Sequence, residues 1–133
     1  MEDYVSFETA KLLKERGFDE VCISVYHDGE LQLVSSLGIF CGEGYGEQIL
    51  TYTNSECSWS PIMIAAPTLQ MTMKWLRKVH NFHILVEPNH DKEGLYNAHV
   101  KVGWWSYNWA GIGYNTHEEA CEAAIKYCLE NLI

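Results

Sequence analysis

The sequence predicts an α+β fold: three helices packed on one face of a mainly antiparallel, hairpin-built sheet, in quasi-repeated helix–strand–strand halves. Three observations predict it. One local plan, a helix followed by a strand and a returning strand, occurs twice. Two of the strand segments alternate in polarity on either side of turn residues. A capped amphipathic segment closes the chain. With 133 residues, a single domain spanning 1–133 is expected, its halves at about 5–60 and 67–115 and its closing helix at 116–132.

The first helix is predicted from Ser6 to Gly17. Ser6 is the expected N-cap, with Val5 placed as a hydrophobic staple, and Phe7, Ala10, Leu12 and Leu13 form the apolar stripe. Gly17 stands where a left-handed residue ends a helix, and Phe18 is placed to touch Leu13. A hairpin follows. Val21–His27 and Glu30–Ser35 flank Asp28-Gly29, a pair suited to a two-residue type I′ turn. Alternation puts Val21, Ile23 and Val25 on one side. From Leu37 to Ala66 the pattern weakens, with an edge-like strand expected over Gln48–Thr53 and a loop over Asn54–Pro61.

The second helix is expected after Pro67, with Thr68 as N-cap and Leu69, Thr72, Trp75, Leu76 and Val79 facing inward. Asn81-Phe82 repeats the exit of Gly17-Phe18, and Leu12, Lys14 and Phe18 correspond to Leu76, Lys78 and Phe82. His83–Glu87 and Tyr96–Trp105 read as the second hairpin around the loop Pro88–Gly94. A short strand is expected over Trp109–Tyr114. Thr116-His117-Glu118-Glu119 is a capping box that opens the last helix, whose core stripe is Cys121, Ala124, Cys128 and Leu132.

Composition narrows the function classes. A net charge of −9, with nine basic residues, disfavours phosphate-backbone binding. The one basic cluster, Lys74, Arg77 and Lys78, fits a solvated helix face. No apolar run reaches the length of a membrane span. The opening Met1-Glu2-Asp3-Tyr4 lacks the regions of a signal peptide, so a cytoplasmic location in a host bacterial cell is expected. Five cysteines without a Cys-x-x-Cys pair read as reduced thiols.

No catalytic, cofactor-binding or metal residues are expected. His80 and His83 straddle a helix exit, and His90 sits in a loop, so neither makes a ligand frame. Cys41 and Cys57 are the loop-side thiols, and no histidine pairs with either in the sequence. The run Gly42-Glu43-Gly44-Tyr45-Gly46 is followed by strand-like residues and carries acid, which argues against a phosphate cradle. The aromatic run is different. Trp104, Trp105, Tyr107, Trp109 and Tyr114 crowd eleven positions, and adjacent tryptophans in a strand face opposite ways. One of them needs a second cover or a partner. Trp105, Tyr107 and Trp109 are the expected partner-binding residues.

Ala66-Pro67-Thr68-Leu69-Gln70-Met71 with Trp75-Leu76-Arg77, Tyr114 to Ile125, and the opening Ser6 to Lys14 together resemble short proteins encoded by phages and prophages of gut bacteria. The resemblance runs in order along most of the chain, least so in its middle and in the aromatic run. It implies an accessory phage protein and carries no functional residues over. The leading expectation is therefore a non-enzymatic accessory protein that binds a host or phage protein, or itself. The alternative is a small-molecule (nucleotide-like) binder or weak enzyme with a pocket near residues 37–61.

Overall fold

The computed structural model describes residues 3–38, 40–41, 47–48, 50–55, 63–104 and 106–133. Among them the chain is α+β, with three α-helices and two three-stranded antiparallel sheets. The residues group into two compact units, Tyr4–Pro67 and Thr68–Ile133, the latter joined by Asp3.

In the first unit, α1 (Phe7–Glu15) starts where Ser6 Oγ accepts a hydrogen bond from Thr9 N at 3.2 Å. It ends at Gly17, whose φ of 89° no β-carbon tolerates well. There Phe18 N donates to Leu13 O at 2.9 Å and Gly17 N to Lys14 O at 3.3 Å. That is the six-to-one and five-to-two pair of a Schellman stop, and its apolar contact partners Leu13 and Phe18 are both buried. Strands β1 (Ser24–His27) and β2 (Glu30–Leu33) form a hairpin on Asp28 (φ 51°) and Gly29 (φ 82°), the positive pair a type I′ turn requires. After a 3-10 turn at Val34–Leu37, β3 (Phe40–Cys41) pairs with β4 (Glu47–Gln48). β5 (Met63–Ala65) joins β1 on its free side, giving the order β2-β1-β5. Asn54 ties this unit together: its Nδ2 donates to Phe18 O at 2.8 Å, and its Oδ1 accepts from Ala65 N at 2.9 Å.

Two expectations fail in this unit. Val21 and Ile23 are each 56% exposed, whereas Cys22, Ser24 and Val25 are buried. The strand begins only at Ser24, and a backbone bridge between Cys22 and Tyr52 turns Cys22 inward. With a side-chain period of two, that choice sends Val21 and Ile23 outward. The strand expected over Gln48–Thr53 is not continuous either. β4 ends at Gln48, and Tyr52 makes an isolated bridge while its hydroxyl donates to Met63 O at 3.1 Å.

In the second unit, α2 (Leu69–His80) is capped by Thr68, whose Oγ1 accepts from Met71 N at 3.1 Å, and it exits through Asn81 at φ 59°. Its buried arc is Leu69, Thr72, Met73, Trp75 and Leu76. Val79, expected inside, is 55% exposed, because the arc closes one turn before the helix does. β6 (Phe82–Pro88), β7 (Tyr96–Val102) and β8 (Ser106–Tyr114) pair in that order. The strand expected to reach Trp105 stops at Val102, and the turn begins at Gly103-Trp104. β8 is correspondingly longer than the expected Trp109–Tyr114. In the β6–β7 loop, Asn89 Oδ1 accepts from Asp91 N (2.8 Å) and Lys92 N (3.0 Å).

Helix α3 (His117–Asn131) opens with Thr116 Oγ1 accepting from Glu119 N at 3.0 Å. The Glu119 carboxylate reaches back to Asn115 N, one residue before the cap. Ala120, Cys121, Ala124, Ile125, Cys128 and Leu129 are buried. Leu132, expected in that stripe, is the half-buried cap residue.

Gly111 tests how tightly α3 and the sheet fit. A β-carbon there would meet the Tyr114 hydroxyl and stand 2.5 and 2.8 Å from Trp109 ring carbons. Gly111→Ala is expected to cost about 1–3 kcal/mol, read as a lower urea midpoint with an unchanged slope.

Candidate functional site

The β6–β7–β8 sheet has one covered face and one bare face, and its register decides which residue lies on which. Pairs Phe82↔Val102, Ile84↔Val100 and Val86↔Ala98 line one side, and Val100↔Trp109 and Ala98↔Gly111 continue it across β8. Ala98 and Val100 are fully buried there, and α3 packs against all three strands. α2 packs beside α3, with His80 between the Trp75 ring (4.9 Å, edge-on) and the Phe82 ring (5.5 Å, stacked). The other face follows by alternation: His83↔Lys101, Leu85↔His99 and Glu87↔Asn97, with Ala110 beside His99. Leu85 is 46% exposed and Ile112 73% exposed. A half-screened pair, His99 Nε2 to Glu87 Oε1 at 3.2 Å, crosses this face.

The aromatic run divides between the two faces and the turn. Trp109 lies on the covered side and stacks on Tyr127 of α3, centroids 5.1 Å apart and planes 16° off parallel. Its indole is thus engaged within the unit. Trp105 lies outside the described residues. Tyr107 pairs through its backbone with Lys101, and its side chain is outside the description. Trp104 is the exposed ring, at 73%, held 5.6 Å from the His83 ring at the Gly103 end of the bare face. It was not among the residues expected to bind. The sequence signal existed in the adjacent Trp104-Trp105 pair, but the strand's end, which places Trp104 in the turn, was not legible.

A second feature brings together groups the sequence reading did not join. A cleft of about 190 Å³ is lined by Asp3, Thr68, Leu69, Gln70, His117, Glu118 and Cys121. His117 and Cys121 are four apart on α3, so they share a face, and Cys121 Sγ stands 3.6 Å from His117 Nδ1. That spacing is readable in the sequence, where Cys121 reads as a core residue of the last helix and Cys41 and Cys57 as the loop-side thiols.

Thiol, imidazole and carboxylate therefore meet, but the electrostatics oppose nucleophilic chemistry. Burial, then Glu118, then Glu122 push the Cys121 thiol up to about 11. At pH 7 a thiol of that acidity is thiolate in about one molecule in ten thousand. Reactive cysteines instead have pKa values lowered by cations or helix N-termini. The arrangement leaves Cys121 as a buried thiol in contact with an imidazole.

Cys22 and Cys128 are also buried thiols, and burial pushes each up to about 12, with Glu20 adding to the rise at Cys22. Cys57, the Gly42–Gly46 run and most of the 37–61 segment lie outside the described residues, as does the side chain of Cys41. Among the described residues, no group of three or more His, Cys, Asp or Glu is placed to hold a metal ion, and no helix is long and apolar enough to cross a membrane. Lys74, Arg77 and Lys78 are exposed, two of them in the last turn of α2, where cations complement the helix dipole. No family model, curated protein or solved structure matches this chain.

The thiols give a pH test. Their folded-state pKa values are raised above the ordinary value of 9.0, so the unfolded chain loses these protons first. Their contribution to stability is complete below pH 9 and falls as pH rises through 9 to 12. The urea midpoint is expected to fall across that window, less steeply in Cys22→Ala. With Cys41 and Cys57 replaced by Ser, an aromatic disulfide reagent at pH 8 is expected to label the three remaining thiols only after unfolding.

Proposed function

We propose that this chain is a non-enzymatic protein-binding module whose docking surface is the bare face of the β6–β7–β8 sheet. The observation that carries the reading is Trp104, 73% exposed at the end of a face that also exposes Leu85 and Ile112. An aromatic ring left in water at a sheet end is a ready anchor, since burying ~150 Å² of it contributes about 4 kcal/mol before the costs of association. The raised thiol pKa of Cys121 supports the non-enzymatic part. The sequence resemblance supports a phage or prophage accessory role, with a host or phage protein as partner.

The small-molecule reading has two hollows to draw on: an open one of about 310 Å³ lined by Lys14, Gly17, Phe18, Asp19, Asn54 and Ser55, beside the 37–61 segment expected to hold a pocket, and the cleft beside His117 and Cys121. The first is a shallow surface hollow at the low end of the ~300–1,000 Å³ typical of ligand pockets and the second, at about 190 Å³, is smaller, which ranks this reading second. A thermal-shift screen with nucleotides would revive it if one compound raised the midpoint in proportion to its concentration.

The test of the leading reading is capture from host lysate by the tagged chain. Trp104→Ala should change stability by less than about 0.5 kcal/mol, because the ring is exposed, yet remove the captured protein. Capture that survives the substitution unchanged would contradict the assignment of this face.

A further inference from the structure

We infer that the outer edge of β8 accepts an extended segment of a partner protein by antiparallel strand addition, with the segment's basic N-terminal end beside Tyr114. This rests on the protein-binding reading above and specifies how the partner engages. β8 has nine residues and ends the order β6-β7-β8, and among the described residues no strand pairs with its far side. Proteins usually guard such an edge with charge or proline. The opposite edge has both, Glu87 and Pro88. β8, Ser-Tyr-Asn-Trp-Ala-Gly-Ile-Gly-Tyr, has neither; its two register shifts fall at Asn108 and between Gly111 and Tyr114, which leaves Trp109–Gly111 as the regular stretch between them. Trp109 is stacked on Tyr127 of α3 and Gly111 packs against the Trp109 ring, so the edge is presented on a rigid support.

Two quantities choose the occupant. Nine residues at ~3.3 Å make a strip about 30 Å long, and with a sheet thickness of about 10 Å it covers roughly 300 Å² per partner. A stable dimer buries about 800 Å² per partner. Edge pairing therefore suits one extended segment better than a second copy, which would also bring another net charge of −9.

Charge sets the segment's direction. Register puts Pro88, Tyr96 and Tyr114 at one end of the sheet. There the exposed acids are Asp91 and Glu93 of the β6–β7 loop and Glu118 and Glu119 of α3, against the single base Lys92. The other end carries Trp104. All pairs in this sheet are antiparallel, and antiparallel pairing is slightly the stronger, so the Tyr114 end meets the segment's N-terminus.

The probe is a fluorescent nine-residue peptide of alternating threonine and valine with two lysines at its N-terminus, followed by anisotropy at low salt. It should bind at least tenfold more tightly than its isomer with the lysines at the C-terminus or its analogue with two N-terminal glutamates. Backbone amide shifts should centre on 106–114. Ile112→Lys, and separately Ala110→Lys, should each weaken binding at least tenfold with an unchanged circular dichroism spectrum. Equal binding of the three peptides, no binding, or shifts centred elsewhere would overturn the inference. So would a dimer in sedimentation that Ile112→Lys dissolves, because a second copy would then hold the edge. Lysate capture separates the two levels: loss in Trp104→Ala with retention in Ile112→Lys keeps the docking face and removes the strand addition.

Discussion

One-sided cover is the constraint on which the second unit depends. Three strands make two faces, and both helices of that unit pack on the same one. α3 lies across all three strands, and α2 lies beside it. The buried row of Ala98 and Val100 under Ala124, Ile125 and Cys128 supplies the apolar contact that holds the sheet flat against the helix. Small residues on both sides allow close approach, and Trp109 closes the β8 side by stacking on Tyr127. Among the described residues no helix of that unit packs on the opposite face, and its residues divide accordingly. His83, His99, Lys101 and Glu87 suit water, whereas Leu85, Ile112 and Trp104 do not.

That mixture distinguishes an exposed face from an interaction face. Antiparallel sheets commonly present one polar side to solvent. A fully polar side would need no further account. Here two aliphatic side chains and an indole sit on or beside a lattice of titratable groups, which resembles the make-up of a transient interface, apolar anchors within a polar surround. The chain's net charge of −9 lends any association a preference for partners that are not themselves acidic.

Helix boundaries were well marked in the sequence because each rests on local chemistry. Ser6, Thr68 and Thr116 cap as their hydroxyls require, and Gly17 and Asn81 take the left-handed stop. Asp28-Gly29 forms the turn its two positive φ values permit. Strand facing was less legible, since it depends on a partner distant in sequence. Cys22 points inward because it pairs with Tyr52, thirty residues on, and nothing near Val21 or Ile23 records that. The two halves share a helix–hairpin order but recruit their third strand differently: β1 is central in one sheet and β7 in the other. In the aromatic run, tryptophan content was visible, but the division between Trp109 under α3 and Trp104 in the turn followed from where β7 stops. The His117–Cys121 pair was readable from its spacing. Its acidity was not, because that depends on burial and on Glu118 and Glu122 acting together.

The bare sheet face is tested most directly by nuclear magnetic resonance with a soluble paramagnetic agent, which broadens whatever solvent reaches. The Trp104 indole N–H and the Ile112 methyls should broaden strongly, while the Trp75 indole and the Ala98 and Val100 methyls stay sharp. A Trp104 indole as protected as that of Trp75 would mean that this face is covered within the chain, and the account of a surface awaiting a partner would be wrong.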